Sequence, residues 1–128
     1  MELIKVSNLT KSYGSDKKQH VVLDKLSFTI NSGEFVGFIG ETGYGKSTLM
    51  HLLGGLDKAT SGDILVEGTN IAKFVVDEAT EFRRKNIGVL YQFYNLIPIL
   101  DVEENITLPL DLDNRKVDNK HLKHFLPY

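Results

Sequence analysis

The chain has 128 residues, 41% of them apolar, which suffices for one modest hydrophobic core and matches the usual size of a single domain. Its 15 Lys and Arg residues against 17 Asp and Glu leave a net charge of -2, so no overall basic field points to nucleic acid and no acidic tract points to a disordered tail. The absence of cysteine excludes disulfides, thiolate metal sites and cysteine nucleophiles.

The opening MELIKVSNLT has an acidic second residue and a short apolar stretch, unlike a secretory signal. No run reaches the ~18 apolar residues of a membrane-spanning helix, so any membrane role is expected to be peripheral. Leu3 to Val6 reads as a short strand. Leu26, Phe28 and Ile30 alternate with Ser27 and Thr29, which predicts a half-buried strand closed by a turn at Asn31, Ser32 and Gly33. Phe35 to Ile39, apolar apart from Gly37, predicts a strand covered on both faces. From Ser47 onward Leu49, Met50, Leu52, Leu53 and Leu56 recur at helical spacing, and Asp57 to Gly62 closes that helix. Asp63 to Glu67 predicts another strand, ended by Gly68, Thr69 and Asn70. Asp77 reads as the N-cap of a short polar helix bearing Arg83 and Arg84, and Ile87 to Tyr91 as a further buried strand. Asp101 with Glu104 forms a capping-box pattern opening a helix that Pro109 would end. DLDNRKVDNK then reads as surface loop, followed by an apolar stripe of Leu122, Phe125 and Leu126.

Between the strand at Phe35 and the helix at Ser47 lies GETGYGKST, comprising Gly40, Glu41, Thr42, Gly43, Tyr44, Gly45, Lys46, Ser47 and Thr48. Gly40, four residues, Gly45, Lys46 and Ser47 match the P-loop pattern in its strand-to-helix context. Glycines at 40, 43 and 45 allow backbone angles closed to other residues, so that several amides converge on phosphate oxygens where the helix N-terminus adds its positive dipole end. Lys46 is expected at the β and γ phosphates of ATP, Ser47 on the magnesium ion and Thr48 on the α-phosphate side. The plain alternative is a glycine-rich turn opening a helix, but such a turn gives no reason for a lysine and a hydroxyl at fixed positions.

Four stretches in this order resemble the ATP-binding subunits of ABC transporters: KSYG at Lys11 to Gly14, GETGYGKSTL, GGLDKATSGDI and GVLYQFYNLIP. The run YQFYNLIPILDVEENITLPL is most similar to the branch serving lipoprotein release, macrolide export and antimicrobial-peptide transport or sensing. The resemblance implies an α/β P-loop NTPase of the ABC type, incomplete, with an N-terminal antiparallel β portion and the start of a helical subdomain. It divides the chain into a nucleotide-binding core over residues 1–92, with Walker A and Q-loop, and the beginning of the helical subdomain over 93–128. By resemblance Tyr13 stacks on adenine, a contact worth about 1 kcal/mol. Gln92 reaches magnesium and the attacking water, since an amide both donates and accepts. The stretch from Phe93 to Leu100 borders the groove for a permease's coupling helix; its apolar residues fit buried core equally well. The implied partners are a membrane permease and a second, head-to-tail ATP-binding subunit, with no nucleic acid. The implied location is cytoplasmic and peripheral on the inner face of the cell membrane.

Family members continue with an LSGGQ signature, a Walker B aspartate, a catalytic glutamate, a D-loop and a switch histidine, and these 128 residues contain none of them. LLGGL at Leu52 to Leu56 lies on the P-loop helix with leucines in place of serine and glutamine, and FVVDE at Phe74 to Glu78 occupies a helix start. His20, His51, His121 and His124 form no ligand pattern. ATP hydrolysis is therefore the family's activity, but no catalytic residue is assigned here, because the base and half of the magnesium shell belong to the other half. A truncated subunit is expected, with central strands short of neighbours and a core left partly uncovered. The competing expectation is a non-hydrolysing, nucleotide-responsive module that docks on a permease or a complete ATPase subunit. Glu41 and Tyr44 stand where the family has proline and a small residue; the carboxylate would repel phosphate unless turned outward, and the phenol sits where a partner's signature would approach.

Overall fold

Residues 1–15 and 17–126 are described by a computed structural model of the chain. Two long strands, β1 (Glu2–Tyr13) and β2 (His20–Asn31), form an antiparallel hairpin, and β3 (Ser61–Val66) pairs with the other edge of β1. A tight turn with positive φ at both Glu67 (47°) and Gly68 (82°), the geometry that matches strand twist, leads to the short β4 (Thr69–Asn70). The sheet order is β2-β1-β3-β4.

β1 runs well past the expected Leu3 to Val6 because a bulge re-phases it. Val6 and Leu9 are three residues apart, which in a straight strand places them on opposite faces, yet both are fully buried. Asn8, at φ 48°, takes up the extra residue where the register shifts, and its N–H donates to Ser27 Oγ at 2.8 Å. Lys25, also at φ 48°, does the same on β2, where its N–H donates to Thr10 Oγ1 at 3.1 Å. Beyond that bulge the alternation read from the sequence holds: Leu26, Phe28 and Ile30 are half-buried, while Ser27 and Thr29 are exposed.

Helix α1 (Lys46–Leu53) lays Leu49, Leu52 and Leu53 against Val6, Leu9, Leu23, Ile64 and Ile71. Each such buried side chain stabilises the fold by about 1.5–3 kcal/mol relative to exposure. The helix ends at Gly54, earlier than Asp57 to Gly62, so Leu56 leaves the apolar face, and Met50 is exposed as well. A 3-10 turn at Ile71–Lys73, capped by Asn70 Oδ1 accepting from Ala72 N–H at 3.2 Å, leads toward α2 (Val76–Asn86). That helix starts one residue before Asp77, which therefore lies inside the first turn instead of capping it, and Glu78 accepts from Val75 N–H at 3.1 Å. An acidic side chain at either position is favoured by the helix dipole, which is why the pattern leaves the boundary open by a residue.

The chain divides into two compact units, Met1–Arg83 and the part from Arg84 onward. In the second, α3 (Val102–Leu112) opens with the expected capping box: Glu104 N–H donates to Asp101 Oδ1 at 2.8 Å and Asp101 N–H to Glu104 Oε2 at 2.9 Å. Pro109 sits inside α3 and does not end it. Proline forfeits one backbone donor, and the turn that closes the helix lies further on, at Asn114 (φ 53°), where Arg115 N–H returns to the Leu110 carbonyl at 2.8 Å. The buried Asp113 carboxylate draws in Arg84 at 3.2 Å and Arg115 at 2.6 Å. In α4 (Asn119–Phe125), capped by Asp118, Leu122 is buried and Phe125 exposed, so the expected stripe reduces chiefly to Leu122.

Neither predicted two-faced strand forms. Phe35 to Ile39 and Ile87 to Tyr91 lie outside regular structure, with Phe35, Ile39 and Leu90 wholly exposed. Phe38 and Ile87 are half-buried, Phe38 lying edge-on to Phe28 with ring centroids 5.5 Å apart. A strand covered on both faces needs ladder partners, and the sheet of β2-β1-β3-β4 does not include either segment. Where backbones do approach closely, glycine is obligatory: at Gly62 (φ 91°) a Cβ would lie 2.4 Å from the Asn8 carbonyl oxygen and 2.7 Å from Leu9 Cα. Gly62→Ala is expected to destabilise the fold by about 2–4 kcal/mol, combining positive-φ strain with overpacking against backbone, read as a lowered urea midpoint; an unchanged midpoint would show that β1 and β3 separate freely here.

Candidate phosphate-binding loop

The loop is seated by its last glycine. Gly45 adopts φ 89° and lies so close to β2 that a Cβ would meet the side chains of Val22 and Leu23 at 3.0 Å and the Val22 carbonyl at 3.1 Å. Gly43 is left-handed too, at φ 88°. Gly45 is also the N-cap of α1; its carbonyl accepts the first helical bond from Leu49 N–H at 2.9 Å, and no side chain caps the helix. The opening amides of Lys46, Ser47 and Thr48 therefore have no intrahelical acceptor, and the positive end of the helix faces the loop.

Across that opening, Lys46 Nζ donates to the carbonyls of Gly40 and Glu41, the latter at 2.7 Å. The backbone of Gly40 lies against this side chain, a Cβ there falling 3.9 Å from Lys46 Nζ. Tyr44 N–H donates to the Glu41 carbonyl at 3.3 Å, so Glu41 serves the loop through its backbone. Glu41, Thr42, Gly43, Tyr44 and Ser47 are exposed, and Thr48 is half-buried. Uncapped amides, left-handed glycines and a lysine satisfied only by neutral carbonyls fit an anionic ligand, which would give that ammonium a charged partner. Such residues suit a nucleoside triphosphate with magnesium, Ser47 offering the ion a hydroxyl ligand.

Tyr13 ends β1 opposite His20, two positions from Val22, whose side chain abuts Gly45. Its hydroxyl donates to Asp57 Oδ2 at 3.0 Å. Lys11 Nζ reaches Asp57 Oδ1 at 3.0 Å and the Lys58 carbonyl at 2.6 Å, and stands 4.8 Å from the Tyr13 ring centroid. Burial by itself would raise the Asp57 carboxyl, but hydrogen bonds from Lys11, the Lys58 N–H and Tyr13, with the charge of Lys11, hold it below the usual range. Neither Lys11 nor Asp57 was legible as a site residue; their only sequence signal is their place within the KSYG and GGLDKATSG stretches.

Gln92 belongs to the second unit and is exposed in a bend outside regular structure, as are Phe93, Tyr94, Leu96 and Ile99. The stretch is therefore exposed surface instead of core. Asn105, which carries no motif signal in the sequence, fixes it: Asn105 Oδ1 accepts from Ile97 N–H at 2.8 Å, and Nδ2 donates to the carbonyls of Asp101 at 2.8 Å and Leu100 at 3.0 Å. Among the described residues no helix is long and apolar enough to cross a membrane.

An antiparallel sheet, a left-handed glycine loop and an uncapped helix bearing lysine and two hydroxyls define a partial α/β P-loop NTPase. Residues 23–126 match the sequence profile of the ABC transporter family, and the chain belongs to that family. It is 43% identical over 110 residues to an uncharacterised ABC transporter ATP-binding protein of Mycobacterium tuberculosis, covering 86% of this chain and 44% of that one. It is 39% identical over 124 residues to the lipoprotein-releasing system ATP-binding protein LolD of Wigglesworthia glossinidia brevipalpis, covering 97% and 53%. The dimeric structure of MJ0796, a bacterial ABC transporter cassette, superposes with a TM-score of 0.84 at 36% identity over 94% of this chain and 52% of that one. A dimeric post-hydrolysis state of the same cassette, bound to ADP and Pi, gives 0.84 at 35% with the same coverage. The chain thus spans about half the length of the curated relatives it matches.

The lowered Asp57 carboxyl fixes the sign of a pH effect. A carboxylate depressed on folding adds stability above its unfolded value, about 4, and that contribution is lost as pH falls through the lower folded value. Asp57→Asn is expected to be less stable than wild type at pH 7, with the gap closing below about pH 4 in acid-unfolding curves; a gap independent of pH would refute the charged role of Asp57.

Proposed function

We propose that this chain is the nucleotide-binding part of an ABC transporter cassette and holds magnesium-ATP through Gly40, Glu41, Thr42, Gly43, Tyr44, Gly45, Lys46, Ser47 and Thr48. The observation that carries this reading is the uncapped α1 N-terminus behind left-handed Gly43 and Gly45, with Lys46 folded over the loop onto two carbonyls. Lys46 exchanges those carbonyls for the β and γ phosphates, backbone amides take phosphate oxygens, Ser47 ligates magnesium and Thr48 lies toward the α phosphate. Tyr13 stacks on the adenine, and Gln92 contributes to magnesium and to positioning water when ATP is hydrolysed. Residues 1–92 are read as the nucleotide core and 93–128 as the beginning of a helical subdomain.

In the same reading, the cassette works at the inner face of a membrane beside a separate permease, and pairs head-to-tail with a second ATP-binding subunit. Exposure of Phe93, Tyr94, Leu96 and Ile99 supports docking through Phe93 to Leu100, since an apolar patch on a pinned loop is a surface suited to a helix from a partner. A dimeric relative bound to ADP and Pi supports both nucleotide binding and pairing. Calorimetry with ATP tests the site. Lys46→Ala is expected to weaken magnesium-ATP binding by about 10- to 100-fold, the equivalent of one charged hydrogen bond of about 1.5–3 kcal/mol. The absence of any ATP binding by the folded wild-type chain would overturn the proposal.

A further inference from the structure

Lys11 raises a question that packing does not answer. Its residue is only 8% exposed, among strand and helix residues that form the core, where a lysine carries a desolvation cost that an apolar side chain would not. Its ammonium is held by Asp57 Oδ1 and the Lys58 carbonyl and stands over the Tyr13 ring, while the Tyr13 hydroxyl is tied to the other oxygen of the same carboxylate. Both ends of Tyr13 mobility are thereby removed: the hydroxyl cannot swing without leaving Asp57, and one ring face is occupied by a cation.

We propose that Lys11 and Asp57 are positioning residues that hold the Tyr13 ring in one orientation, the ammonium backing one face so that the other is presented to the purine of ATP. This rests on the reading of Tyr13 as the base contact. Tyr13 is 45% exposed, so the anchored ring still has open surface to offer. The register carries it to the loop: Tyr13 pairs with His20, and Val22 on the same strand touches Gly45, from which the phosphate-binding helix starts. Ordering the ring before the ligand arrives removes a side-chain entropy cost from binding, which makes a single stacking contact more effective. A ring cation and a carboxylate shared by hydroxyl and ammonium form a closed, fully paired network, with no buried charge left alone when the base departs.

The experiment measures dissociation constants of the full chain for magnesium-ATP and for magnesium-tripolyphosphate, and reads their ratio, which isolates the contribution of the nucleoside. The wild-type ratio is expected to favour ATP by about tenfold, and Tyr13→Leu to bring it to about one. Lys11→Met is expected to reduce the ratio by about three- to fivefold and Lys11→Arg to restore most of it. In the Tyr13→Leu background Lys11→Met is expected to change nothing further, because it acts through the ring. An unchanged ratio in Lys11→Met, or an equal reduction in the presence and absence of the ring, overturns the inference. If Lys11→Met does not fold, Asp57→Asn and Tyr13→Phe ask the same question without opening the core: a reduced ratio in both supports the positioning role and an unchanged ratio in both overturns it. A wild-type chain that binds neither ligand refutes the phosphate site, and one that binds both equally refutes Tyr13 as the base contact. A wild-type preference for ATP with unaffected variants refutes the positioning role alone.

Discussion

Gly45 lies close against β2, where a Cβ would crowd the side chains of Val22 and Leu23 at 3.0 Å. That contact fixes where α1 begins, and the start of α1 fixes much else. From Gly45 the helix carries Leu49, Leu52 and Leu53 onto the sheet, closing the core. At the same point its unpartnered amides are held beside the end of the β1–β2 hairpin that carries Tyr13. Core packing and the placement of the glycine loop thus share one pivot, and a helix set by three buried leucines holds the end of that loop in a way that a free segment would not.

The hairpin is shaped by equally local devices. Left-handed Asn8 and Lys25 each insert a residue, so that apolar side chains three positions apart reach the same face, and side chains from the opposite strand satisfy the displaced amides. Gly62 then lets β3 pass against the Asn8 bulge. The cluster of Lys11, Asp57 and Tyr13 lies where β1 meets the turn after α1, and its polar atoms are mutually paired, which is the condition under which a low-dielectric setting strengthens a network instead of weakening the fold.

Two segments show what local character cannot supply. Phe35 to Ile39 and Ile87 to Tyr91 have the composition of strands buried on both faces, yet they lie exposed and outside regular structure. Strand formation depends on ladder partners that are distant in sequence, and composition reports only readiness to pair. The chain also spans about half the length of its curated relatives. Exposed apolar backbone of this kind offers unpaired donors and acceptors to any other strand.

The sequence by itself determined the features whose physics is local. Closely spaced glycines followed by an apolar helical repeat specified a loop that opens α1, Asp101 and Glu104 specified a cap three residues across, and alternation specified the faces of β2 from Leu26 to Ile30. Tertiary structure decided what depends on residues far apart along the chain. It left the two apolar segments outside the sheet. It also brought Asp57 to Lys11 and Tyr13, more than forty positions away along the chain. Neighbouring residues constrain one another through fixed covalent geometry, whereas a strand partner or a carboxylate meeting a distant ammonium exists only once the chain has folded back on itself.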